Sequence, residues 1–599
     1  MFILKKRNWH STHTDLSKYF IMKFTQLVDK SEFLTNNHTS TNGLILLEEL
    51  CEVSSICLKR SKNHRRLQSL LNECSDESIN SSVVSDVIIN KYFRPAANNI
   101  REWQRDFSIE LIQQIYSGTL LHKSSIKPVY LTYVQKELND IDFSSRHFDT
   151  YSKKIDELLS LLIPQLVYDG YSLAFLQIAP KKLIQRPLNS MIKHLFTFFD
   201  YSIDRKYRCF IPKTDNISRN PLIDILNPIN ITLRNSDYFP NEKPVPLDGY
   251  SFEISGKDPF SALRNRVTLA YRKYSLEYTD ATPHLLDPFW EEAYYFNGKI
   301  NKFTRYNFSK TNDPLIPSFR KNTLSHSLSK HEEFLEAVNL DNLSIFEEPI
   351  YFYNLARTVP SVENSYILLW TALEALMGLR SNKTDIEIIK DNVAQSIALG
   401  AVGRRLLSFH ERYTKASEIN KLKLLCPKIY KLEDKSLSSV MSWAIDKTFE
   451  NKPNDPFNAI KTDPLLAKQY RIINEKWGTL QDLLDIINTS SNTISYQLDR
   501  LYFTRNMIVH AAQLGKTGDH LWVHLEWYIG KLLAQAVVIM DQFKGSALSR
   551  DSDPRDIVFG SLQGQYKASI DYLERHKDAK ITRDHLINSG IFRFPMLCF

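Results

Sequence analysis

Glycine is scarce in this chain, with 17 residues in 599. No G-x-x-x-x-G-K-[ST] stretch occurs, and no G-x-G-x-x-G opens a helix. The phosphate-cradling loops of P-loop and dinucleotide-binding proteins are therefore not expected. Cysteine is scarce as well. Cys51, Cys57, Cys74, Cys209, Cys426 and Cys598 are irregularly spaced and form no C-x-x-C pair. Neither a disulfide framework nor a thiolate zinc site is expected, and a reducing compartment fits. Long apolar runs are missing too. A membrane-spanning helix needs about 18 or more apolar residues in succession. The nearest approach, LLIPQLVYDGYSLAFLQIA, is broken by Pro164, Asp169 and Gly170. The opening MFILKKRNWH places a short apolar run before its charges, the reverse of a secretory leader. The expectation is a cytoplasmic protein with no membrane partner.

What is present is ordinary for a globular chain: 43% hydrophobic and 24% charged residues. At this length roughly two to four domains are expected. The net charge of +8 is mildly basic and permits an anionic partner such as nucleic acid without demanding one.

The texture changes along the chain. Residues 1–92 read as mostly helical, with polar breaks such as TNNHTSTNG. Residues 93–335 read as an α+β region in which aromatic and β-branched runs (KPVYLTYVQ, RKYRCFIP, PINITLR, PLDGYSFEIS) alternate with Pro, Asn and Asp breaks. Helical segments such as KKIDELLSLLIPQLV sit between them. EEAYYFNGKINKFTRY reads as a hairpin turning at Asn297-Gly298, a pair suited to a type I′ turn. Residues 340–547 read as all-α. There SVENSYILLWTALEALMG has Ser361 as N-cap, Gly378 as stop, and Val362, Tyr366, Trp370, Leu373 and Met377 as its apolar stripe. Asp519 is the expected N-cap of a further long helix. After a polar linker, residues 557–599 read as a tail with one helix. The expected fold class is thus multidomain, an α+β N-terminal region followed by an all-α helical bundle.

The stretch LYFTRNMIVHAAQ, residues 501–513, breaks its own pattern. On a helical wheel Ile494, Leu498, Leu501, Arg505, Ile508 and Ala512 fall on one line, so Arg505 occupies an apolar stripe. Phe503, Met507, His510 and Leu514 form a second stripe on nearly the opposite side. A helix apolar on two faces is packed on two sides, by its own bundle and by either another helix of it or a second subunit. A buried arginine needs an anion or carbonyl partner. Asn506 and His510, four apart, share a face. Together the three residue types suit RNA self-cleavage. Histidine moves protons near neutrality, arginine forks onto phosphate oxygens, and asparagine orients either partner. No metal or other cofactor is required.

R-N-x-x-x-H late in a helix, followed by another long helix, resembles the signature of HEPN domains. The upstream LLWTALEALMG resembles the Apea-like HEPN branch of bacterial anti-phage defence. The resemblance covers residues 340–547 at most. It implies a metal-independent endoribonuclease that acts as a homodimer through the helix containing residues 494–514. Arg505, Asn506 and His510 would be its catalytic motif, and Glu374 the candidate acidic residue of the earlier helix, which could pair with Arg505. It further implies RNA as substrate, a role in abortive infection and a phage-derived trigger. The alternative is a non-catalytic HEPN module that binds RNA or protein in a larger assembly.

Other groupings carry less. Arg405 and His410 repeat the Arg–His spacing but lack the polar residue after the arginine. Asp248, Glu253 and Lys257 place the lysine four residues after the acid rather than two, against the spacing of a metal-dependent nuclease strand. HEEF at 331–334 lacks the second histidine of a zincin, so no metal ligands are assigned. Two basic groups, Lys59, Arg60, Arg65 and Arg66, then Arg264, Arg266 and Arg272 beside Tyr271 and Tyr274, are either RNA-contacting patches or solvated faces.

Overall fold

The computed structural model describes residues 9–29, 41–60, 64–75, 109–199, 205–212, 229–234, 246–262, 292–297, 302–307, 340–359, 362–378, 385–420, 460, 463–511, 518–542 and 553–591. The protein is mostly helical, with one antiparallel sheet.

The N-terminal helices are α1 (Asp15–Leu27), α2 (Gly43–Arg60) and α3 (His64–Ser75). Next come α4 (Ile109–Ile126), α5 (Tyr130–Asn139), α6 (Phe148–Tyr168), α7 (Leu173–Leu183) and the short α8 (Met191–Phe196). Helix α5 covers most of KPVYLTYVQ, which composition alone would make a strand. Its buried residues Tyr130, Leu131, Val134 and Leu138 recur at helical spacing, so packing against α6 overrides the β-branched and aromatic preference.

Five strands follow: β1 (Arg205–Pro212), β2 (Ile229–Arg234), β3 (Pro246–Gly256), β4 (Glu292–Asn297) and β5 (Lys302–Asn307), in the order β2-β3-β1-β4-β5. The runs RKYRCFIP and INITLR are strands, as their composition predicts. The β4–β5 hairpin forms, but its register does not fit a two-residue Asn297-Gly298 turn. Asn297 pairs with Lys302 and Phe296 with Phe303, whereas a two-residue Asn297-Gly298 turn would set Phe296 opposite Lys299. The sheet is tied to the helices just past β3. There Asp258, fully buried, accepts bonds from the Ser172 backbone N–H (2.7 Å) and hydroxyl (2.9 Å) at the start of α7. Burial raises its carboxyl from the usual range. Gly256 is required here, because a Cβ would lie 2.7 Å from the Ala262 Cα.

The C-terminal part is all helix among the described residues: α9 (Leu340–Thr358), α10 (Val362–Met377), α11 (Asp385–Ala398), α12 (Ala401–Asn420), α13 (Pro464–Arg471), α14 (Leu480–Ala511), α15 (Gly518–Gln542), α16 (Pro554–Arg575) and α17 (Arg583–Asn588). Helices α10, α11, α14, α15 and α16 pack on one another. Helix α10 stops as expected, with Gly378 in the left-handed region at φ +66°. Helix α15 begins at Gly518, so Asp519 falls inside it rather than capping it. Its segment Leu521–Met540 has a mean hydropathy of 1.2 and is 71% buried, as a central bundle helix should be. Among its described residues the tail holds two helices where one is expected, and α16 packs against α11, α14 and α15.

One hydrophobic cluster runs from Leu16 to Ile591. It crosses the sequence positions 92 and 335. Helix α1 packs on α6, α7 and α13, and α3 packs on α14. The N-terminal helices therefore sit directly against the helix that carries the R-N-x-x-x-H motif.

Candidate functional site

The motif helix α14 is held at its start by the tail. Leu480 N–H donates to the Ala579 carbonyl (3.1 Å) and Gln481 N–H to the Lys577 carbonyl (2.9 Å). Asp482 accepts from the Gly478 and Thr479 backbone N–H groups. These contacts satisfy donors that a helix start leaves open. Further along, Ile494, Leu498, Leu501 and Ile508 are buried, which bears out the main stripe.

Arg505 lies on that stripe but is not sealed in the core. Its side chain is 28% exposed and that of Glu374 on α10 is 32% exposed, with Arg505 Nη2 4.0 Å from Glu374 Oε1. Arg505 Nη1 donates to Asn506 Oδ1 at 3.1 Å. Glu374 Oε1 also accepts from the indole N–H of the buried Trp370 at 2.7 Å, and the Trp370 ring lies 5.5 Å from that of Tyr502. The carboxylate is thus oriented from below by Trp370 and faces the guanidinium. Arg505, Asn506 and Glu374 meet.

His510 does not join them within one chain. It stands exposed in the last turn of α14. Ideal helix geometry puts it about 140° around and about 7.5 Å along from Arg505. Phe503 and Met507 on its side of the helix are half-buried, and Leu514 lies outside the described residues. The second apolar stripe therefore stays partly open in the monomer.

On α14 the arginine sealed in the core is Arg500, whose side chain is 3% exposed. Its Nε donates to Glu49 Oε2 (2.8 Å) on α2, and its Nη2 to Glu73 on α3. Arg66 Nη2 donates to the same Glu49 oxygen at 3.2 Å. The adjacent Asp499 accepts from Ser69 Oγ (2.5 Å) on α3 and Lys390 Nζ (2.9 Å) on α11. Burial pushes the Glu73 carboxyl up, with Arg500 pulling it back, and the two carboxylates raise Arg500. Periodicity did not single out Arg500, because it lies off the apolar line. The one signal was Glu49 set inside the apolar GLILLEELC.

The basic groups resolve unevenly. Arg66 is buried and paired with Glu49, so it is not available to a phosphate, which corrects the patch reading for that residue. Arg65 pairs with Glu387 on α11. Lys59 is exposed, and the Arg60 side chain lies outside the described residues. Arg264, Arg266 and Arg272 lie outside them as well. On α12, Arg405 is exposed and His410 half-buried. Glu253 is exposed on β3, while Asp248 on that strand is registered against Thr232. Among the described residues no three His, Cys, Asp or Glu side chains cluster as metal ligands.

No protein-family model, curated protein or solved structure matches the chain. A functional reading rests on the residues themselves.

Proposed function

We propose that the chain is a metal-independent endoribonuclease of the HEPN type, cytoplasmic and acting in anti-phage defence by abortive infection. Residues 340–547 form its ribonuclease domain and the region before them a regulatory one. The observation that carries the reading is the contact of Arg505 with Glu374 and Asn506 at a half-exposed position on the helix that ends in an exposed His510. The Arg505 side chain is 28% exposed. It keeps donors toward solvent where a phosphate can reach them.

The chemistry follows from the groups. The RNA 2′-oxygen attacks the adjacent phosphorus as its proton is taken up by a base. The bond to the 5′-oxygen breaks and that oxygen is protonated, leaving a 2′,3′-cyclic phosphate and a 5′-hydroxyl. His510 serves as the acid or base, and Arg505 stabilises the doubly charged phosphorane. Asn506 orients the guanidinium or the phosphate, and Glu374 holds Arg505 in place. Because His510 and Arg505 diverge on one helix, a homodimer through the 494–514 helix supplies the missing neighbour. The part-open stripe of Phe503 and Met507 suits that contact.

Expression toxicity and RNA cleavage in EDTA test this. The wild type should slow growth and cut cellular RNA, while His510→Ala and Arg505→Ala should each abolish both with the dimer intact. Cleavage that persists in His510→Ala would refute the assignment. Absence of cleavage and toxicity, with RNA or a protein still bound, would favour the non-catalytic module instead.

A further inference from the structure

The motif helix is gripped by charge at two successive positions. Arg500 reaches α2 and α3 through Glu49 and Glu73, and Asp499 reaches α3 and α11 through Ser69 and Lys390. Successive residues project about 100° apart around a helix. Two directional contacts so separated fix the rotation of α14 about its axis. Apolar packing does this less sharply, since a buried leucine tolerates small rotations that an ion pair at 2.8 Å does not. Rotation is what the site is sensitive to. Arg505 lies five residues on along the same rigid helix, and its contact with Glu374 is already 4.0 Å long.

The grip is not there for stability alone. Replacing a buried ion pair by well-packed apolar groups is often neutral or stabilising. This network also leaves Arg66 Nε and Nη1 without a hydrogen-bond partner among the described residues. These open donors cost stability, so the distinctive contribution of the cluster is its geometry.

We infer that Arg500, acting through Glu49 and Glu73, is a positioning residue that sets the rotation of α14 and with it the Arg505–Glu374 contact. The inference rests on the ribonuclease reading for its consequence in activity, though not for its geometry. It makes the N-terminal helices α2 and α3 part of the functional unit.

The test uses the full chain, with Glu73→Gln as an isosteric loss of charge and Arg500→Lys as a retained charge without the fork. Glu137→Gln, in the peripheral pair with Lys154, is the control. Two readouts are followed in variants whose circular dichroism matches the wild type. One is RNA cleavage. The other is the ¹⁹F resonance of 5-fluorotryptophan at Trp370, assigned by its loss in Trp370→Phe, which reports the Glu374 environment without needing activity. In both variants kcat should fall about tenfold or more with KM changed less than about twofold, and the Trp370 resonance should move. The control should change neither. Folded Glu73→Gln and Arg500→Lys with wild-type kcat and an unmoved resonance would overturn the inference. If the wild type cuts no RNA, the ribonuclease reading fails. A moved resonance would then still uphold the positioning, and an unmoved one would sink it. Should Glu73→Gln not fold, Arg500→Lys decides alone.

Discussion

Arg500→Met removes a paired charge from the buried core. The substitution keeps a long flexible side chain but removes the charge from a position 3% exposed. Glu49 keeps Arg66 at 3.2 Å, while Glu73 loses Arg500, the cation that most offsets its burial. Removing one partner of a buried pair costs about 3–5 kcal/mol, because the remaining charge is left in a poor medium. Against a total stability of about 5–15 kcal/mol, that is a large fraction. Urea denaturation followed by far-ultraviolet circular dichroism should show the midpoint falling. The double variant Arg500→Met/Glu73→Gln should recover at least about 1–2 kcal/mol of the loss, since it removes the charged group left behind. The pH dependence has a definite sign. Burial already raises the folded-state Glu73 carboxyl above its unfolded value, and without Arg500 it rises further. Between the unfolded and folded values the native state then binds more protons than the unfolded one, so stability falls as pH rises through that window. The deficit of Arg500→Met should therefore be smaller at acidic than at alkaline pH, and the double variant should lose this dependence. A single variant within about 1 kcal/mol of wild type would refute the reasoning, since it would mean that water or another group reaches Glu73.

Three further outcomes follow from the same structure. His510→Ala should unfold within about 0.5 kcal/mol of wild type while losing cleavage, because the imidazole is exposed; a large stability loss would mark it as structural. Gly378→Ala should destabilise by about 1–2 kcal/mol for the left-handed backbone. Little should be added by the Arg555 guanidinium 2.9 Å from the new Cβ, whose flexible end can move, and Gly378→Asn should cost less than Gly378→Ala in the same urea titration. The Cys57 thiol, raised to about 11 by burial, should react with a thiol reagent at pH 8 at least about a hundredfold more slowly in the native than in the urea-unfolded protein, and comparable rates would show it to be accessible.

Local signals in the chain were strong where one residue decides a local conformation. Gly378 ends α10 because only glycine takes a left-handed residue there without strain, and that is readable from the sequence. The strands at RKYRCFIP and INITLR are bounded by turn-forming residues and rich in β-formers, and they form. KPVYLTYVQ has the same composition yet is helical, because α6 offers an apolar surface that its helical face can cover. Arg505 was expected to need an anion or carbonyl partner, and the structure brings the carboxylate of Glu374 to 4.0 Å. Burial was misjudged. Arg505 is half-exposed, and the enclosed arginine of α14 is Arg500, five residues earlier.

The sequence by itself determined the helix that carries Arg505, Asn506 and His510, since its apolar spacing runs through them. It also determined where α10 stops and which residue types are present for phosphate chemistry. Only the tertiary structure decided that Glu49 and Glu73, more than 400 residues away in the chain, would enclose Arg500. It also decided that Arg66 would be an internal partner rather than a surface cation. The reason is physical. Periodicity reports which face of a helix avoids water, but an ion pair in the core depends on which other helix arrives with the opposite charge, and no local pattern carries that information.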